Sequence, residues 1–170
     1  RYESYELNLD IYDSDNYVEG SKDRFTSRSG GETELLAAFA ELNWQFNQNW
    51  DATLGLRYEE FESKSGYFDD DNPTTAEFDL TQVPARSTNG ASPKFSVGYA
   101  PSDLWSFRYS AARAYRFPIV EELFSQFEAF NSISIANPGF EPEDGIHHNL
   151  MAERAIPGGY VRVNYFTESI

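Results

Sequence analysis

The stretch LAAFAELNWQFNQNWDATLGLRY, Leu36 to Tyr58, decides the fold. Leu36, Ala38, Ala40, Leu42, Trp44 and Phe46 share one parity, and after the polar turn Asn47 to Asn49 the same face resumes with Trp50, Ala52, Leu54, Leu56 and Tyr58. No charge falls on it. The other parity holds Glu41, Asn43, Gln45, Asp51, Thr53 and Arg57. Successive side chains of a strand point to opposite faces, so one side of this hairpin wants hydrocarbon and the other water.

A soluble sheet with one buried face shows the same period-two pattern. Length and tryptophan placement separate the readings. Each arm runs about 11 residues, the length that crosses a bilayer at a tilt and about twice the usual soluble strand. All three tryptophans, Trp44, Trp50 and Trp105, lie beside short turns, where an amphipathic ring sits at headgroup level and forms a lipid-facing girdle. A second hairpin repeats the design: Phe95, Val97 and Tyr99 alternate with Lys94, Ser96 and Gly98, turn at Pro101 to Asp103, and return as Trp105, Phe107 and Tyr109 against Ser106, Arg108 and Ser110.

Working outward, Tyr5, Leu7, Leu9 and Ile11 mark a first strand that runs into a polar stretch from Asp13 to Glu32. A long polar segment spans Glu62 to Asn89, and a third long connection spans Phe117 to Asp144. Ile146 to Ala155 and Val161 to Tyr165 flank the turn Pro157 to Gly159. About seven strands with alternating short and long links result. Several long connections count against a compact soluble domain, whereas they are the rule in an all-β, antiparallel transmembrane β-barrel. Arg113 and Arg154 fall on the apolar parity, where a midplane arginine costs about 2–4 kcal/mol; snorkelling or a local bulge relieves it near an interface.

Composition agrees. At 170 residues, a formal charge of −15 and a mean hydropathy of −0.59, a large dry core is hard to assemble, but a barrel needs only a band of alternate apolar residues. The acidic balance argues against a basic nucleic-acid footprint. Cysteine is absent, which excludes disulfides and thiolate metal sites. Asp69, Asp70, Asp71 and Asn72 offer hard oxygens for calcium but lack the EF-hand spacing, so a solvated loop is the simpler reading. His147 and His148, as strand neighbours, point to opposite faces and do not share a metal. No nucleophile or zinc-hydrolase motif is present, and the expectation is a non-enzymatic chain with no cofactor and no metal.

Arg113, Ala114, Tyr115, Arg116, Phe117 and Pro118, followed by Glu122, Leu123 and Phe124, resemble the Arg-x-Phe-Arg-x-Pro then Glu-Leu-Phe segment of TonB-dependent outer-membrane receptors. Asn137, Pro138, Gly139, Phe140, Glu141, Pro142 and Glu143 are similar to the Asn-Pro-x-Leu-x-Pro-Glu signature that follows it, with Phe140 in place of the common Leu. Gly55 to Tyr58, Ser92 to Lys94 and Tyr99 to Pro101 match further segments in order. The resemblance implies a receptor of about 22 strands around a plug, of which residues 1–170 form an interior piece of the barrel, without the plug and the remaining strands. It further implies a bacterial outer-membrane location, contact with membrane lipid, energising by the TonB complex through the plug, and a small metal chelate such as a ferric siderophore as cargo. Tyr67, Phe68, Phe124, Phe127 and Phe130 are candidate loop aromatics for stacking on such a ligand, and Arg116 is a candidate partner for an anionic chelate. A passive porin or adhesive barrel, and a soluble binding sheet, are the alternatives.

Overall fold

The computed structural model describes the backbone of residues 1–16, 18–71, 78–129 and 132–170, and their side chains except at 70–71, 78–79, 127–129 and 132–134. Among the described residues ten strands form: β1 (Tyr2–Asp13), β2 (Arg24–Gln45), β3 (Trp50–Asp71), β4 (Phe78–Val83), β5 (Arg86–Ser102), β6 (Trp105–Arg116), β7 (Phe127–Ala129), β8 (Ser132–Ser134), β9 (Glu143–Ile156) and β10 (Gly159–Ser169). One short helix, α1 (Val120–Phe124), precedes β7. Seven strands follow the antiparallel order β1-β2-β3-β5-β6-β9-β10; β4 adds to β3, and β7 and β8 pair with each other.

The seven expected strands are therefore present, but they are longer than the alternation alone suggested. Half of the polar stretch from Asp13 to Glu32 is strand, with Glu6, Asn8 and Asp10 paired across from Glu32, Gly30 and Arg28 in continuous register. The arm read from Phe95, Val97 and Tyr99 belongs to the 17-residue β5. Two of the long links carry structure of their own, β4 in one and α1 with β7 and β8 in the other.

Short turns are specified by side chains. Asn47 Oδ1 accepts hydrogen bonds from the backbone N–H groups of Asn49 at 2.8 Å and Trp50 at 3.1 Å, closing an Asx turn between β2 and β3. Gly158, at φ 85°, supplies the left-handed residue between β9 and β10.

The chain divides into two compact units. Unit 1 comprises residues 1–36, 60–88 and 117–141; unit 2 comprises 37–59, 89–116 and 142–170. The division coincides with a change of chemistry along one face of the long strands. Even positions of β2 read Arg28, Gly30, Glu32, Glu34 and then Leu36, Ala38, Ala40, Leu42, Trp44; those of β3 read Trp50 to Tyr58 and then Glu60, Glu62, Lys64. Unit 1 also holds most of the acid excess, while acids and bases nearly balance in unit 2. Water accepts the carboxylate face of unit 1, and hydrocarbon suits the greasy face of unit 2.

In unit 1 the buried core is Phe61, Val120, Leu123 and Phe124, with Leu7, Leu35, Phe68, Val83 and Phe117 packed against it. Leu7 pairs with Gly31 and Tyr5 with Thr33, so the greasy stripe of β1 lies on the face that carries α1. The polar stripe Glu6, Asn8, Asp10 lies on the opposite face. Leu7 of β1 is thus packed against protein, whereas the stripe from Leu36 to Phe46 is exposed.

Candidate functional site

Unit 2 presents an apolar, solvent-exposed face. Leu42 is 58 % exposed, Leu54 51 %, Phe107 37 % and Val163 64 %, values that no sheet buried under a second layer shows. At the turn end the aromatic residues contact one another: Trp50 stacks on Tyr99 at 4.3 Å, Trp105 lies parallel to Phe107 at 5.7 Å, and Trp44 meets Phe46 at 4.3 Å. Trp50 and Tyr99 stand on the neighbouring strands β3 and β5, whereas Trp44 with Phe46 and Trp105 with Phe107 are contacts between residues two apart in the chain.

The opposite face of unit 2 is a polar lattice. Arg108 donates from Nη2 to both carboxylate oxygens of Asp51, at 2.9 and 2.8 Å, and from Nη1 to Ser96 Oγ at 3.0 Å. Lys94 pairs with Glu41, Thr53 donates to Asn43 Oδ1 at 2.7 Å, and Arg162 Nε donates to Glu153 at 2.7 Å. Gly98 leaves room for the Asp51 and Arg108 pair, and Gly55 for the Lys94 stem; a Cβ at either would collide with them. Sequence reasoning placed these residues on the wet face but did not pair them, since the partners stand on different strands. The glycines inside strands were the available signal.

The two arginines on the apolar parity have specific partners. Arg113 Nε donates to Asp144 Oδ2 at 2.8 Å and its guanidinium lies 4.8 Å from the Tyr115 ring centre; Arg154 lies 5.3 Å from the centre of the Trp105 ring. Ion pairing and cation–π contact relieve these positions. The neighbouring histidines diverge: His147 approaches Glu168 at 3.5 Å, while the His148 ring meets the Tyr109 hydroxyl at 2.8 Å.

The motif region of unit 1 is organised around α1. Pro118 is buried, Ile119 N donates to Glu122 Oε2 at 3.1 Å, and Ile119 O accepts from the N–H groups of Glu122 and Leu123. Asn137 N donates to Glu122 O at 3.0 Å, Gly139 N donates to Asn137 Oδ1 at 2.9 Å, and Arg86 Nη1 donates to Pro138 O at 2.9 Å. Phe117 stacks on Phe61 at 5.4 Å. The Phe124 ring is 1 % exposed and rests over Gly31 and Gly66, where a Cβ at Gly31 would stand 2.5 Å from the ring. Leu123 is equally buried. In unit 2, half-buried Pro142 leads into β9, and Arg116 Nε donates to Glu143 Oε2 at 3.0 Å as an exposed ion pair.

Of the candidate ligand contacts, Phe124 is therefore a core residue and presents no ring to a ligand, because two side-chain-free positions admit it between strands. Phe68 packs against the same core. The Tyr67 hydroxyl donates to Asn8 Oδ1 at 2.9 Å and lies over Gly30, on the face away from α1. These aromatics do not converge on one surface. The Phe127 side chain and Phe130 lie outside the described residues, as do the Asp70 and Asp71 side chains and Asn72.

A wall with one greasy, aromatic-edged face and one polar face, bearing structured loops, defines a transmembrane β-barrel segment. The family described as TonB dependent receptor-like, beta-barrel, matches residues 1–168, and the chain belongs to it. The barrel class was legible in the alternation, and the particular family in the Arg113 to Pro118 and Asn137 to Glu143 motifs. A solved structure of similar fold is a double mutant of the Serratia marcescens hemophore receptor HasR, in complex with its hemophore HasA and heme, at a TM-score of 0.65 and 15% identity. The alignment covers 98% of this chain and 32% of that one, so the chain spans about a third of the length of the receptor it matches. No curated protein matches by sequence.

Proposed function

We propose that this chain is part of the wall of an outer-membrane, TonB-dependent active transporter that captures and imports a scarce nutrient, with a ferric siderophore as the cargo. The observation that supports this reading most strongly is the division of unit 2 into an exposed apolar face and a hydrogen-bonded polar face, in a chain of this receptor family. Lipid is the partner of the first face and the lumen the place of the second. The TonB complex, acting through a plug domain, supplies the energy. The chain's own residues hold shape: ion pairs such as Asp51 with Arg108 and Glu41 with Lys94 keep the polar face charged yet nearly neutral pair by pair. No catalytic chemistry and no resident cofactor are assigned to it.

The test is growth of a strain lacking the receptor on single iron sources, chelated or haem-bound, together with uptake of labelled iron before and after collapse of the proton-motive force. Loss of uptake of one iron chelate, restored by the intact gene and abolished by the uncoupler, is the expected result. Unchanged uptake of every iron chelate removes the siderophore reading, and uptake that persists without the proton-motive force replaces the active transporter with a passive pore.

A further inference from the structure

Arg154 stands on the greasy parity of β9 without the carboxylate that neutralises its counterpart Arg113. Its chain neighbour Glu153 belongs to the other face and is taken by Arg162. Among the described residues the one partner of the Arg154 guanidinium is the Trp105 ring, 5.3 Å from its centre. A ring offers the charge a quadrupole but no oxygen acceptor, so the guanidinium fork keeps N–H donors for an anion. The strand register places this cation at the foot of a furrow. Arg154 lies across from Trp105 on β6 and Val161 on β10, and Ala152, the next residue on that face, lies across from Phe107 and Val163. Ala152 is the smallest side chain of its row, so Phe107 and Val163 stand up on either side of it. Trp105 and Phe107 lie parallel within 3° and form one flat wall of the furrow, and both are exposed.

We propose that Arg154, Trp105 and the furrow over Ala152 form a docking site for one anionic phospholipid, its headgroup phosphate on the Arg154 guanidinium and an acyl chain along the furrow. Charge decides the occupant. Arg154 carries a positive charge that no described carboxylate cancels, and a guanidinium fork matches two phosphate oxygens. A net-negative headgroup cancels that charge, whereas a zwitterionic one brings its own ammonium to the same phosphate. The Trp105 indole, beside a short turn at the edge of the greasy face, lies at headgroup level, so phosphate and chain reach the cation and the furrow together. Arg113 offers no such site, because Asp144 on its own face repels a phosphate. This inference rests on the reading of unit 2 as a membrane wall and adds to it a headgroup that the wall selects.

The experiment counts the lipids retained by the full-length receptor, by native mass spectrometry from detergent micelles doped with equal amounts of phosphatidylglycerol, which is anionic, and phosphatidylcholine, which is zwitterionic. Wild type is expected to keep phosphatidylglycerol in preference, and Arg154→Gln to reduce that preference about fivefold, the worth of one basic residue at an anionic surface. Arg154→Lys, which keeps the charge, is expected to keep most of it, and Ala152→Phe, which fills the furrow and leaves the cation, to lower retention of phosphatidylglycerol. Millimolar inorganic phosphate is expected not to displace the lipid, having no chain for the furrow; displacement makes this a site for free phosphate and overturns the lipid. Equal preference in wild type and Arg154→Gln overturns the site, as does wild-type retention of both lipids alike; either leaves unit 2 a membrane wall. Loss of both lipids together in Arg154→Gln assigns Arg154 to holding the strands and also overturns it. A wild-type receptor that neither retains lipid nor inserts into vesicles removes the wall reading as well.

Discussion

Arg113 and Asp144, 31 residues apart, meet at 2.8 Å on the same face as Tyr109 and Leu150. The pair places a cation and an anion on the greasy parity together, where either alone would be an unneutralised charge next to hydrocarbon. Both side chains are about two-fifths exposed, so the pair itself contributes little. Removing one partner is different. Asp144→Leu is expected to lower the urea midpoint of the receptor in vesicles, because Arg113 then stands without its carboxylate. The double variant Arg113→Leu with Asp144→Leu is expected to recover most of that loss. Urea unfolding from vesicles measures both, and a double variant no better than the single would refute the pairing argument.

Phe124 fills a slot between strands that exists because Gly31 and Gly66 lack side chains. Phe124→Ala is expected to cost about 3–5 kcal/mol of local packing, and Gly31→Val about 1–3 kcal/mol by overpacking. Both changes are expected to expose residues 117–126 to proteases and to amide exchange while the hairpins of unit 2 keep their protection. Uniform loss of protection across the receptor would contradict a local role for α1.

Asp23 accepts the Asp15 backbone N–H at 2.6 Å and the Ser21 hydroxyl at 2.8 Å, and these bonds hold its pKa below the usual carboxylate value. A lowered folded-state pKa gives order that is present above about pH 4 and is lost as pH falls through the lowered value. Exchange protection of the Asp15 amide is expected to follow that course. Lys64 and Glu34, in unit 1, shift in opposite directions: the Glu34 hydrogen bond raises Lys64, and Lys64 first and Tyr2 second lower Glu34. Their link is fully formed between the ordinary carboxylate and lysine ranges. It is lost toward acid through Glu34 and toward alkali through Lys64. Titration of the Lys64 side chain by NMR measures this, and a Lys64 pKa at or below the ordinary value would contradict it.

Trp50 and Trp105 stack within the girdle on Tyr99 and Phe107. In vesicles, fluorescence quenching by lipids brominated near the glycerol is expected to fall when both tryptophans are replaced by Phe, with little change for lipids brominated at the chain end. Quenching that is strongest at the chain end would move these rings to mid-bilayer and displace the band assigned to unit 2.

The alternation of Leu36 to Tyr58 was enough to specify a two-faced sheet of long strands, because side-chain direction in a strand is set by parity alone. The motifs from Arg113 to Glu143 were enough to indicate the family. Parity names two faces but not what covers each: Leu7 of β1 packs against the core that holds α1 while the apolar stripe of β2 is exposed, and only the pairing of Leu7 with Gly31 distinguishes them. Likewise Phe124 read as a loop aromatic because burial depends on residues about 60 and 90 positions away that happen to lack a Cβ. Local sequence therefore determined the strands and their faces. Tertiary structure decided which greasy face meets protein, which loop aromatic belongs to the core, and which distant carboxylate neutralises Arg113, since each depends on contacts between residues that the chain brings together only when it pairs its strands.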